Sequence, residues 1–338
     1  MQIIRDLESA PVSPLAIYMT GIHKLSVASA AREGEKLHTL RGGTSGCFIP
    51  HANGFAGVNP REGLARFMGY QLPKTRKSLL VFQTGFATER QFATNVLASG
   101  VDFKSDAEYP IFVENWVGEY PLSGRPDGVF FKDGKPIFGV ELKSLVSESS
   151  TKSVFHEDKP KIEAVCQAVK YSLATGLPWV LVYTNPAMQG RFDKQVPVSH
   201  KEFFLSIEND LVYSDTDTEK KQLIVTASGV KAYDEAIVEA FTTQDISFLD
   251  WLDMDAFGHP NGYDARLYNE FSLVVNSNQS FDQWIKDVEI ASKSKYLITY
   301  TGGKKPSYNV VDTTTDEGKS FASLASARQE FFALAGRK

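Results

Sequence analysis

Two segments between residues 123 and 183 decide the fold: SGRPDGVFFKDGKPIFGVELKSLV (123–146) and, after a polar link, KPKIEAVCQAVKYSLATGLPWVLVY (159–183). They read as strand, tight turn, strand, helix, strand. Val129-Phe130-Phe131 is a short apolar run, and Lys132-Asp133-Gly134-Lys135 carries the Asp-Gly signal of a two-residue hairpin turn. Pro136 to Val146 forms a second, longer strand. Successive strand side chains alternate faces, so Glu141 and Lys143 project together with Leu142 opposite. Asp127 enters the first strand just after Pro126, and folding the hairpin back brings it beside Glu141. Two carboxylates and an ammonium then meet at the edge of a largely apolar sheet.

Such a cluster is costly unless something compensates it, because like charges repel and desolvated carboxylates are unfavourable. A hard divalent cation is the usual remedy: Mg²⁺ takes carboxylate oxygens plus waters and leaves positions for phosphate oxygens. The lysine can orient or help deprotonate an attacking water whose pKa the metal lowers. This is chemistry for phosphodiester hydrolysis. An acid-x-Lys triplet alone says little, since it recurs at Asp102, Asp133, Glu157, Glu219 and Glu317, where ordinary solvated charge is expected. Context singles out Glu141: Pro126-Asp127 upstream, apolar residues around it, and a helix behind it. In that helix Ile162, Val165, Cys166, Val169 and Leu173 make an apolar stripe. Gln167 and Tyr171, four apart, share a neighbouring face with Glu163. Pro160 and Gly176 punctuate its two ends.

Asp127, Glu141-Leu142-Lys143 and Gln167-Ala168-Val169-Lys170-Tyr171 resemble the motifs of the PD-(D/E)xK nuclease superfamily. The downstream Gln-x-x-x-Tyr is similar to that of its RecB-like branch, with viral exonucleases of the lambda-exonuclease type and CRISPR-adaptation nucleases. The resemblance covers about residues 40–190. It implies metal roles for Asp127 and Glu141, with the Leu142 carbonyl as a further ligand. It implies a water-activating role for Lys143, and substrate-backbone contact or active-site bracing for Gln167 and Tyr171. The fold it implies is an α/β restriction-endonuclease-like core, a mixed central β-sheet flanked by helices in the order αβββαβ, with N- and C-terminal elaborations.

Working outward, Asn59-Pro60-Arg61 through Gly69-Tyr70 resembles the short helix that precedes the core in the RecB-like and CRISPR-adaptation nucleases. Asn59 stands where that pattern has an iron–sulfur cysteine, and the C-terminal cysteine trio is missing. No iron–sulfur cluster is expected, since such clusters normally need four thiolates. Gly85 to Gly100 reads as a helix with Glu89, Phe92, Ala93, Val96 and Leu97 on one face. A carboxylate on that stripe needs a partner, and the resemblance gives Glu89 a place in the metal site. Glu108, Glu114 and Glu119 are its rivals. Glu108 to Tyr120 reads as the strand leading into Asp127, and Pro178 to Tyr183 as a buried strand.

Composition sets the outer bounds. With 338 residues, 42% hydrophobic and 23% charged, the chain is an ordinary globular protein with room for two or three domains. No apolar run is long enough to cross a membrane, and the N-terminus lacks a signal-peptide pattern. Cys47 and Cys166 make no disulfide framework, so cytoplasmic residence is expected, in a host's cytoplasm if the chain is viral. A net charge of −5 argues against indiscriminate duplex coating. Local basic patches at Lys74–Lys77 and Lys304-Lys305 compete with a reading as solvated surface. Six dispersed histidines, His156 among them, offer no zinc spacing.

Leu40 to Pro60 reads as irregular, Gly- and Asn-rich loop. Beyond Asn185 the expectations are coarser. VSHKEFFLSIENDLVY (198–213) reads as helix then strand, GVKAYDEAIVEAFTTQDISFLDWLDM (229–254) as helical, SKSKYLITYTGG (292–303) as strand, and GKSFASLASARQEFFALAGRK (318–338) as a terminal helix. Trp251, Tyr263, Tyr268, Phe271, Trp284 and Tyr300 suit a core better than base stacking. The expected division is 1–80 as N-terminal elaboration, 81–190 as nuclease core, and 191–338 as a C-terminal α/β extension. The expected function is a Mg²⁺-dependent deoxyribonuclease, with Mn²⁺ able to substitute. Glu89, Asp127, Glu141 and Leu142 hold metal, and DNA is the partner, with a second copy or a recombination or replication protein as a further one. An exonuclease of recombination, replication or DNA turnover is favoured on the resemblance. The alternatives are a structure-specific or nicking endonuclease, and a non-catalytic DNA-end-binding accessory protein. A metal-free carbohydrate hydrolase has no use for Lys143 beside its acids.

Overall fold

The computed structural model describes residues 40–41, 60–105, 108–145, 151–185, 192–193, 196–197, 199–215, 219–247, 249, 279–301 and 307–336. Expectations for Asn59, for most of the 40–60 loop, for Lys304-Lys305, Cys47, Trp251, Tyr263, Tyr268 and Phe271 lie outside the described residues.

The strands are β1 (Leu40–Arg41), β2 (Phe103–Ser105), β3 (Ile111–Val117), β4 (Tyr120–Gly124), β5 (Gly128–Lys132), β6 (Lys135–Ser144), β7 (Trp179–Thr184), β8 (Phe192–Asp193), β9 (Val196–Pro197), β10 (His200–Glu208), β11 (Leu211–Asp215), β12 (Lys220–Thr226), β13 (Tyr296–Thr301), β14 (Ser307–Asp312) and β15 (Gly318–Phe321). The helices are α1 (Pro60–Phe67), α2 (Arg76–Ala98), α3 (Ile162–Thr175), α4 (Ala227–Thr243), α5 (Phe281–Lys293) and α6 (Leu324–Ala335).

The central sheet is mixed and seven-stranded, in the order β12-β11-β10-β7-β6-β5-β2. The expected hairpin lies within it, next to the β2 edge: β5 and β6 pair antiparallel across Asp133 and Gly134, both at positive φ (52° and 74°) as a type I′ turn requires. β6 and β7 run parallel, Glu141 opposite Leu181 and Lys143 opposite Tyr183. α3 makes the crossover between them and covers one face. α2 lies on the other face, where Leu142, Val140, Val180 and Val182 meet Phe92, Phe130 and Phe138. The order α2, β2, β5, β6, α3, β7 is therefore αβββαβ within a mixed sheet flanked by helices, consistent with a restriction-endonuclease-like fold.

The first strand of that core is not where the sequence placed it. Residues 111–124 form β3 and β4, which pair with each other and with β1 in a separate three-stranded sheet. The core strand is instead β2, three residues paired to β5. The α2 helix also begins nine residues earlier than Gly85, at Arg76. Thr75 caps it, its hydroxyl accepting from the Ser78 amide at 3.1 Å. Leu97, expected on the inward stripe, is exposed.

Past residue 190 the sheet continues. β10 pairs antiparallel with β7, and β11 and β12 follow. Residues 200–208, read as helix, are thus strand. Their alternation buries Phe203 and Leu205 and exposes Phe204, and Asn209-Asp210, both at positive φ, make the tight turn into β11. A second core joins α1 to the C-terminal elements, with Leu64 and Phe67 of α1 packing among Ile237, Trp284, Leu297 and Phe331. Trp284 belongs to this core, as expected. The 296–301 strand is found at β13, and the terminal helix at α6, which starts only at Leu324 because Gly318–Phe321 pair with β14 as strand β15. Among the described residues no helix is long and apolar enough to cross a membrane.

Candidate active site

The site forms where the β5–β6 ladder ends. Gly128 opposite Val140 is the last pair on this side, and the residue just before β5 is Asp127. The Leu142 amide, beyond the end of the ladder, donates instead to Asp127 Oδ2 at 2.5 Å. That bond fixes the Asp127 carboxylate against the strand that carries Glu141 and Lys143.

Glu141 is 1% exposed, and Lys143 Nζ donates to its Oε1. Its other oxygen, Oε2, is buried with no hydrogen-bond partner. Burial raises the Glu141 pKa and the Glu89 charge adds to this, while the Lys143 ammonium works the other way without cancelling it. Burial alone would lower the Lys143 pKa, but Glu141, Asp127 and Glu89 together hold it above the ordinary lysine value. In this setting Lys143 is an ammonium and a hydrogen-bond donor. It donates also to Gln167 Oε1, at 3.2 Å.

Gln167 comes from α3, which runs from Ile162 to a left-handed Gly176 as the punctuation predicts. The expected amphipathic stripe is not found. Residues 164–171 are all buried and Leu173 is exposed, because α3 is enclosed by the sheet on one side and by α4 and β3 elsewhere. Gln167 Nε2 donates to the Tyr171 hydroxyl at 3.4 Å, and that hydroxyl donates to the Arg125 carbonyl at 3.2 Å. Burial pushes the Tyr171 phenol far above its ordinary pKa, so it stays a neutral donor. The ring passes so close to Gly124 that a Cβ there would lie 2.4 Å from Tyr171 Cε1.

The residues expected to act together therefore do meet. Asp127, Glu141 and Lys143 form one cluster, and Gln167 and Tyr171 brace it and the Arg125–Asp127 segment. Glu89, half-buried on α2, is close enough for its charge to act on Glu141 and Lys143. It does not complete a tight trio: among the described residues no three His, Cys, Asp or Glu side chains are grouped to hold a metal. Its rivals Glu108, Glu114 and Glu119 are exposed, and Glu108 accepts from the Ser105 amide and hydroxyl. The other acid-x-Lys triplets are surface features. Glu157 pairs with Lys159, Glu219 with Lys221, and Asp133 sits in the hairpin turn.

A hard divalent cation fits this donor set. The buried, unpartnered Oε2 of Glu141 beside a second carboxylate is the arrangement that such an ion relieves, and Mg²⁺ commonly binds through one or two carboxylates with water completing its shell. Leu142 stands between Glu141 and Lys143 in sequence, and a metal role for its carbonyl is what the resemblance implies.

One buried network had no signal in the sequence. Lys170 of α3, fully buried, donates to Asp234 Oδ1 of α4 at 2.8 Å. Trp116 Nε1 of β3 donates to Asp234 Oδ2 at 2.7 Å. Sixty-four residues separate the ion pair, so only the fold reveals it.

No protein-family model matches the chain, and no curated protein is similar to it. Solved structures with a partial likeness include the following two. The crystal structure of SSO0001 is 14% identical with a TM-score of 0.35, covering 64% of this chain and 86% of that one. An alkaline exonuclease (LHK-Exo) from Laribacter hongkongensis is 12% identical with a TM-score of 0.28, covering 49% of this chain and 68% of that one. Likenesses of this size say nothing about what the chain acts on.

Proposed function

We propose that the chain is a metal-dependent nuclease that hydrolyses phosphodiester bonds of DNA, working from the ends of linear molecules. The observation that carries the reading is Glu141: a carboxylate 1% exposed, with one oxygen on Lys143 and the other buried without a partner, next to Asp127. Burying an acid beside a second carboxylate is unfavourable in a purely structural role. It serves a purpose where a cation is to be held.

Asp127 and Glu141 would hold Mg²⁺ or Mn²⁺, with the Leu142 carbonyl as a further oxygen donor and Glu89 approaching from α2. The ion supplies Lewis acidity to water and to the phosphoryl oxygens. The rest of the work falls to the chain itself. Lys143, kept cationic by its three acidic neighbours, donates to the attacking water or to a phosphoryl oxygen and stabilises the charge that develops there. Gln167 fixes the Lys143 ammonium from the α3 side. Tyr171 ties α3 to the Arg125 carbonyl and so to the Asp127 segment. Hydrolysis then adds water across a P–O bond, leaving a phosphate monoester and a free hydroxyl. Action from ends, and service in recombination, replication or DNA turnover, rest on the motif resemblance.

The test is cleavage of an end-labelled linear duplex, its single-stranded form and a closed circle, with Mg²⁺, with EDTA and with Glu141→Ala protein. Loss of the linear forms alone, abolished by EDTA and by the substitution, is the expected result. Nicking of the circle would replace the exonuclease with an endonuclease. Binding without cleavage under any divalent metal would overturn the catalytic reading in favour of a DNA-end-binding protein.

A further inference from the structure

We infer that Lys170, Asp234 and Trp116 are positioning residues that set the rotation of α3, and with it the place of Gln167 and Tyr171 against Lys143. The inference rests on the nuclease reading for its kinetic consequences, though not for its structural ones.

An ion pair with both side chains 0–1% exposed is a poor way to gain stability. Removing two charges from water is costly, and a well-packed apolar pair of the same volume often does as well or better. What the pair offers is a single allowed geometry. Lys170 stands three positions after Gln167 and one before Tyr171, so all three side chains turn together when α3 turns. Asp234 has both oxygens engaged, one by Lys170 and one by Trp116. A small rotation of α3 that apolar packing would tolerate breaks the Lys170–Asp234 bond here.

The leverage is large enough to matter. Side-chain tips lie about 5–6 Å from a helix axis, so a turn of about 10° moves Gln167 by about 1 Å. A misplacement of about 1 Å can cost on the order of 100-fold in rate. The network also joins the three parts that build the site. Trp116 lies on β3, whose partner β4 runs into Arg125 and Asp127. Lys170 lies on α3, and Asp234 on α4, from the region after residue 190. That region thereby acquires a task in the chemistry without touching substrate.

The experiment uses the full-length protein with Lys170→Met and Asp234→Leu combined, which removes both charges and keeps most of the volume. With Mg²⁺ and a linear duplex, kcat is expected to fall about 10- to 100-fold while KM changes by less than about threefold. Gln167→Ala should then cost much less in this background than in the parent, because the amide is already out of place. A folded neutral-pair protein with parental kcat overturns the inference, as does an equal Gln167→Ala penalty in both backgrounds. Should the neutral pair fail to fold, Trp116→Phe removes one donor to Asp234 and no charge, and is read by the same cycle. If the parent itself cleaves no DNA, the nuclease reading has failed, and hydrogen exchange decides the positioning role. Amides 165–171 should lose protection in the neutral pair or in Trp116→Phe while those of α6 keep theirs; unchanged protection in α3 overturns it.

Discussion

The Leu142 amide donates to the Asp127 carboxylate at 2.5 Å, a side chain taking up the edge of a ladder whose last backbone pair is Gly128 with Val140. One acid of the candidate metal site is thus oriented by the strand that carries the other. Stability and activity should therefore separate at this position. Asp127→Asn keeps an acceptor oxygen and should fold with little loss. Asp127→Ala leaves the amide without it and should lose about 1–2 kcal/mol. Both should reduce cleavage at least about 100-fold if the carboxylate holds metal. Urea denaturation alongside a single-turnover cleavage assay checks the split, and an active Asp127→Asn would remove Asp127 from the metal site.

Divalent metal should stabilise the protein through Glu141. An ion that binds only the folded state adds about 2.7 kcal/mol at a concentration 100 times its dissociation constant. The melting temperature should therefore rise with Mg²⁺ or Mn²⁺, return with EDTA, and respond far less in Glu141→Ala. A shift of equal size in the variant would place the bound ion elsewhere.

At Gly124 the Tyr171 ring leaves no room for a methyl group. Gly124→Ala should cost about 1–3 kcal/mol by overpacking, and should lower activity further by driving Tyr171 from the Arg125 carbonyl. Tyr171→Phe offers the complementary case: the ring stays against Trp179, 4.9 Å between centroids, and only the hydroxyl is lost. It should lose about 1 kcal/mol and part of its turnover. If Gly124→Ala melts and cleaves like the parent, the close approach is not a constraint.

Asp312 supplies a pH dependence that does not involve the site. Burial works to raise its pKa, but hydrogen bonds from Lys295 and from the Thr314 side chain and amide outweigh that and hold it at about 2. A depressed carboxylate contributes stability above its unfolded value of about 3.9, and loses it as pH falls through the folded value. Asp312→Asn should thus be less stable than the parent at pH 5 to 7, with the difference closing between about pH 4 and pH 2. Denaturant midpoints measured across that range check it; a gap that persisted at pH 2 would mean the asparagine acts through packing.

The β5–β6 hairpin and α3 were legible because their signals are local. Asp133-Gly134 specifies the turn, Pro160 and Gly176 bracket the helix, and alternation puts Glu141 and Lys143 on one side. What failed was set by distant partners. β2 is three residues long and exists because β5 lies alongside it, so it gives no periodicity of its own. The 111–117 segment has strand character, yet which sheet it joins depends on β1 and β4. In 200–208 the adjacent Phe203, Phe204 and Leu205 blurred the period of two, and the Asn209-Asp210 turn was the overlooked clue. The stripe on α3 was misjudged because its whole middle is enclosed, Lys170 included. The residues that meet at the candidate site are nameable from the sequence, and the Lys170–Asp234–Trp116 network beside them is not.

The two rims of the seven-stranded sheet have a bearing on self-association. On one side β2 offers only three residues, with Lys104 exposed among them. On the other, β12 opens with Lys220 and Lys221, paired to Glu208 and Glu219. Short or charged rims are poor templates for a further strand. Copies of this chain are accordingly discouraged from adding strand to strand across these two rims.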